Sequence, residues 1–95
     1  MRYKIYQAKK GNFFADKLPL EQYTCVAEME AGDMEQVYAQ SQNIDSSWLN
    51  NVGVKPTEGL TECRSTSVGD IIEDCENKEF YMVMMMDFEK INNFN

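Results

Sequence analysis

The stretch Tyr23-Thr24-Cys25-Val26-Ala27-Glu28-Met29-Glu30, followed by Ala31-Gly32-Asp33 and Met34-Glu35-Gln36-Val37-Tyr38, changes its period part-way and so decides the fold class. Residues 23–30 alternate. Tyr23, Cys25, Ala27 and Met29 share one face and Thr24, Val26, Glu28 and Glu30 the other, which is the pattern of a half-buried strand. Beyond Gly32, the residues Met34, Val37, Tyr38 and Ser41 recur at i, i+3, i+4 and i+7, the spacing of one helical face, with Asp33 as N-cap. The spacing predicts a helix over residues 33–42, ended by Asn43. One half-buried strand leading into one amphipathic helix points to a sheet with a helix laid on it.

Working outward, Tyr3-Lys4-Ile5-Tyr6-Gln7 is rich in β-branched and aromatic residues and reads as a first strand, closed by the turn residues Lys9-Lys10-Gly11-Asn12. Phe13, Phe14, Leu18 and Leu20, around Pro19, are expected to tuck under the sheet as an irregular segment. From Asp45 to Thr61 the composition shifts to Ser, Asn, Gly and Pro around Trp48, Leu49, Val52 and Val54. That reads as a long loop with a turn of helix at residues 46–49, and loops of that length are often functional or mobile. The last third reads as strands at residues 62–65, 70–73 and 79–87, separated by the turns Ser67-Val68-Gly69 and Cys75-Glu76-Asn77-Lys78. The expected fold is therefore α+β, an antiparallel sheet of four or five strands with one helix, about 33–42, packed on one face, in a single domain over residues 1–95.

With 95 residues, 43% of them hydrophobic and 12% aromatic, the chain is expected to bury one modest core. No stretch reaches the ~20 apolar residues needed to span a bilayer as a helix, and the N-terminus lacks the apolar core of a signal peptide. Three cysteines, Cys25, Cys63 and Cys75, form no close pair and suit a reducing cytosol better than a disulfide framework. The expected location is cytoplasmic.

The net charge of −7 is uneven: residues 1–20 carry +4 and residues 21–95 carry −11. An acidic body of this kind repels a nucleic-acid backbone, so no direct nucleic-acid partner is expected; the acidic surface suggests a basic protein partner, or simply serves solubility. Histidine is absent, which removes the commonest general base, metal ligand and nucleophile activator. A thiol enzyme would need a cation to lower a cysteine pKa, and the nearest in sequence is Arg64 beside Cys63; inert, buried cysteine is the preferred reading. Zinc lacks its ligand spacing, and the acidic clusters Glu73-Asp74-Glu76 and Glu28-Glu30-Asp33-Glu35 lack a calcium-loop pattern. No cofactor, metal or catalytic residue is expected.

The segments Val26 to Ala31, Asp33 to Tyr38, Asn43 to Trp48, Arg64-Ser65-Thr66-Ser67-Val68-Gly69-Asp70-Ile71-Ile72 and Asp87 to Ile91 together resemble a group of small uncharacterised bacteriophage and mobile-element proteins. In that group an RSxSVGD-type run precedes two C-terminal strands and a final Gly-Phe-like step. Asp87 stands where the resemblance calls for Gly before Phe88, and the Met run is atypical for it. The resemblance implies phage origin and fold, with no catalytic residue to carry over.

The candidate binding residues are Trp48, Arg64, Met82, Met84 and Met86. Trp48 either anchors a partner, as aromatic side chains do at hot spots, or plugs the base of its loop. The hydroxyls and glycine of Ser65 to Asp70 invite a phosphate-loop reading, but no P-loop pattern is present and Asp70 would repel an anion. A turn with Gly69 at positive φ is the preferred reading. Met82, Met84 and Met86 alternate with Val83 and Met85, so the strand is apolar on both faces. Core burial is preferred; the alternative is a homodimer or a groove for a partner, which pliable methionines suit. The function expected is that of a non-enzymatic accessory protein of phage type that binds and modulates a host protein. The alternatives are an acidic mimic of nucleic acid and a small-molecule-binding domain.

Overall fold

The computed structural model describes residues 1–12, 15, 18–44 and 46–91. The strands expected at residues 3–7 and 23–30 form as an antiparallel pair, β1 (Arg2–Ala8), one residue longer at each end, and β2 (Tyr23–Glu30). The register shifts between Ile5 and Tyr6. This bulge turns Val26 inward beside Ala27, so two adjacent residues of β2 are buried. The helix α1 follows at Met34–Gln40, and the Asp33 carboxylate accepts from the Gln36 N–H at 2.9 Å as an N-cap should. It ends at Ser41 rather than Asn43. Both the Ser41 hydroxyl and the Gln42 amide donate to the Tyr38 carbonyl, closing the last turn early.

The long loop expected over residues 45–61 is instead folded into the body. Trp48–Asn50 makes a single helical turn with Trp48 and Leu49 buried, and Val54–Pro56 forms β3, paired to β2. Three residues are too few to show a period in sequence, and Pro56, which has no N–H to donate, suits an edge strand. β3 raises the count among the described residues to six strands, one above the upper expectation. The chain then crosses to the far side of β1 and adds β4 (Ile71–Asp74), β5 (Glu79–Val83) and β6 (Phe88–Ile91) as a meander. The described residues form one antiparallel sheet in the order β3-β2-β1-β4-β5-β6.

Two expected strands differ. Residues 62–65 join no ladder, because side chains take their carbonyls: Asn43 bonds Cys63 O at 2.8 Å, while Gln7 and Trp48 bond Arg64 O at 2.7 and 3.0 Å. The single strand expected over residues 79–87 is a strand and a turn. The Met84 N–H donates to Asp87 O at 2.8 Å, and Met84 to Asp87 reverse the chain into β6.

Both faces of the sheet carry core. On the helix side, Tyr3, Ile5, Met29, Val37, Trp48, Leu49, Ile72 and Val83 form the main cluster. On the other side, Ala8, Tyr23, Ile71 and Met82 are buried, with Ala15 and Leu18 of the β1–β2 connection packed on them. Tucking of that connection under the sheet is thus seen for Leu18 but not for Leu20, which starts a single helical turn and is exposed; the positions expected for Phe13 and Phe14 lie outside the described residues. Among the described residues no helix is long and apolar enough to cross a membrane.

Candidate functional site

The run of residues 64–70 is a structural clamp. Arg64 makes a forked pair with Asp70, both guanidinium nitrogens lying 2.7 Å from its carboxylate oxygens. Asp70 also accepts from the Ala8 and Ser67 N–H groups, each at 2.9 Å, while Arg64 donates to Ala8 O at 3.0 Å. The pair therefore grips both backbone groups of Ala8, tying the end of β1 to the start of β4. The bonds to Asp70 raise the Arg64 pKa above its ordinary value, against the opposing effect of burial. Of the amides that a phosphate would need, that of Ser67 donates to the Asp70 carboxylate and those of Thr66, Gly69 and Asp70 donate to the Ser41, Val83 and Ser67 carbonyls, while Gly69, at φ +91°, makes the expected left-handed turn. A Cβ at Gly69 would run into the backbone and side chain of Asn12.

Of the residues singled out in the sequence, Trp48 plugs the loop: it is fully buried and its indole N–H bonds Arg64 O. As an exposed partner anchor it is set aside, because the core needs its volume. Arg64 is committed to Asp70 and to holding the fold. Met82 is 3% exposed in the second cluster, so core burial holds for it, and it offers no surface. Met84 is half-buried. Met86 is 94% exposed and Met85, beside it, 84%.

Met84, Met85 and Met86 line a groove of about 330 Å³ together with Tyr38 of α1, Val68, Val83 and Phe88, and the acidic residues Glu35 and Asp87 belong to the same lining. Helix and hairpin build it together: the 3.6 period places Tyr38 a turn beyond Met34 at the margin of the buried face, and the β5–β6 turn folds the methionines towards it. A second hollow of about 410 Å³, between Asn43, Ser47, Glu62, Cys63 and Arg64, is polar. Its backbone and side-chain groups are already bonded within the chain through Asn43, Ser47 and Arg64. The methionine groove is the better site, since its exposed apolar surface gains when covered.

The chemistry of the thiols is muted. Burial pushes Cys25, Cys63 and Cys75 above the ordinary thiol value; Arg64 only partly offsets this at Cys63, and Lys4 does so at Cys25 and Cys75. Among the described residues no group of three Cys, Asp or Glu side chains is placed to hold a metal ion. Comparison with protein-family models, with curated proteins and with solved structures gives no match. Tyr38, Glu35, Val68 and Phe88 as groove residues had no signal in the sequence beyond their place on a helix face or a strand end.

Proposed function

We propose that this chain is a non-enzymatic accessory protein of bacteriophage type that binds and modulates a bacterial host protein through the methionine groove. The observation that carries the reading is the pair Met85 and Met86, 84% and 94% exposed, on a groove whose lining includes the acidic residues Glu35 and Asp87. Unbranched thioether side chains adapt to an apolar surface, and covering each contributes about 1.5–3 kcal/mol. These acidic residues and the net charge of −7 select a partner segment with Lys or Arg beside its apolar anchor. The protein acts in the host cytoplasm, where its free cysteines stay reduced.

A displayed random-peptide library, panned against the wild type and counter-selected on the double variant Met85→Ser/Met86→Ser, tests the proposal. Enriched peptides should combine an apolar anchor with basic neighbours and lose only part of their affinity from about 0.15 M to about 0.5 M salt, where the Debye length falls to roughly 4 Å, because the apolar contact is not screened. Binders that ignore the methionines and are lost at the higher salt would move the reading to the acidic surface as a whole, that is, to a nucleic-acid mimic.

A further inference from the structure

β6 is the outermost strand of the sheet, and among the described residues no further strand pairs with it. The phase of its ladder follows from three bonds. Met84 N–H turns towards β6, donating to Asp87 O, whereas Val83 turns the other way, its N–H donating to Asp70 O and its carbonyl accepting from Gly69 N–H, all at 2.8 Å. Antiparallel pairs alternate, so Met82–Glu89 and Phe80–Ile91 exchange the amide bonds between β5 and β6. Phe88 and Lys90 consequently aim their N–H and C=O groups out of the free edge. The Phe88 end of that edge opens into the methionine groove.

A second copy of the chain fits this edge badly. Only residues with outward groups can exchange bonds, so two β6 strands can pair antiparallel in three symmetric ways. Centring on Glu89 sets Glu89 opposite Glu89. Centring on Lys90 sets Lys90 opposite Lys90, and centring on Phe88 sets Asp87 opposite Glu89. Like charges directly opposite destabilise a strand pair, so every register is penalised. A foreign strand escapes the penalty if it is basic, because Lys90 is already held by Glu79 across the hairpin while Glu89 and Asp87 have no ion-pair partner among the described residues.

We infer that β6 accepts an extended, alternating basic and apolar segment of another protein as a seventh strand, with Lys or Arg opposite Glu89 and an apolar side chain beside Phe88 entering the groove. The inference rests on the groove being the docking site and adds how the partner lies in it.

The probe is a blocked synthetic peptide of alternating Lys and Val, with a Glu and Val counterpart as control, added to the full chain. Binding should slow hydrogen exchange of the Phe88 and Lys90 amides specifically, and the acidic control should leave them unchanged. Lys90→Pro removes an outward donor and no ladder bond, so it should fold and yet bind at least about tenfold more weakly, a loss of about 1.4 kcal/mol. Lys90→Ala, which loses the same charge but keeps the donor, should bind like the wild type. Peptide binding that survives Lys90→Pro and leaves both amides unprotected, but disappears in Met85→Ser/Met86→Ser, overturns the seventh strand and keeps the groove. Absence of binding by the basic probe overturns the strand inference, while the library selection separately judges the groove. A wild-type dimer that Lys90→Pro dissociates would also overturn it, in favour of a second copy.

Discussion

Arg64 and Asp70 face each other through two parallel hydrogen bonds of 2.7 Å, with the Asp70 side chain 1% exposed and the Arg64 side chain 42% exposed. The carboxylate is the buried partner, and two backbone N–H groups share it, so the pair fixes where β1 ends and β4 begins. Asp70→Ala strands the Ala8 and Ser67 N–H groups together with a guanidinium, and should cost about 3–5 kcal/mol in urea unfolding followed by Trp48 fluorescence. Arg64→Ala should cost less, about 1.5–3 kcal/mol, because solvent already reaches the guanidinium and the two N–H donors remain on Asp70. Equal losses from the two substitutions would contradict this division of roles.

Gly69 and Gly59 both have positive φ, +91° and +88°, yet only Gly69 is crowded: a Cβ there meets Asn12, whereas one at Gly59 meets nothing within 4 Å. Gly59→Ala should therefore show backbone strain alone, about 1 kcal/mol, and Gly69→Ala at least about 2 kcal/mol, since the strain and the collision add. The difference between their urea midpoints measures the collision.

Thr66 is buried and its hydroxyl has no hydrogen-bond partner among the described residues. Thr66→Val keeps the branched shape and removes a polar group that has lost its solvation, so it should raise stability by about 1 kcal/mol. A loss of stability on that substitution would mean that the hydroxyl is satisfied in solution.

Asp74 sits at the β4–β5 turn. Burial alone would raise its pKa, but hydrogen bonds from the Asn77 side chain and from the Asn77 and Glu76 N–H groups, together with the N-terminal ammonium, bring it below the ordinary value of 3.8. A depressed carboxyl stabilises the fold fully above its unfolded pKa and loses that contribution as the pH falls through the folded one. The melting temperature of the wild type should accordingly fall more steeply than that of Asp74→Asn between about pH 5 and about pH 3. Parallel curves would remove Asp74 from the acid response.

Met85→Ser/Met86→Ser should leave the urea midpoint almost unchanged, within about 0.5 kcal/mol, because neither side chain is buried in the fold. The same variant should lose peptide binding. A large drop in stability would show that the two methionines belong to the core.

By itself the sequence determined the α+β class, the strands at residues 23–30 and near residues 3–7, the helix with its Asp33 N-cap and the left-handed turn at Gly69. Each of these is local: periods of 2 and 3.6 residues, a cap three residues from the N–H it bonds, and a glycine where φ is positive are all written within a few neighbours. What only the tertiary structure decided depends on groups far apart in the chain. β3 exists because β2 offers an edge to three residues that show no period of their own. Residues 62–65 remain outside the sheet because Asn43, Gln7 and Trp48 reach their carbonyls first. The apolar run of residues 80–86 looks uniform in sequence, yet Met82 is sealed under one face of the sheet while Met85 and Met86 stand in solvent, because the chain reverses at Met84. Hydrophobicity told which side chains need covering, and only the arrangement of β1, β4 and α1 around them determined which ones the fold covers and which it leaves in solvent.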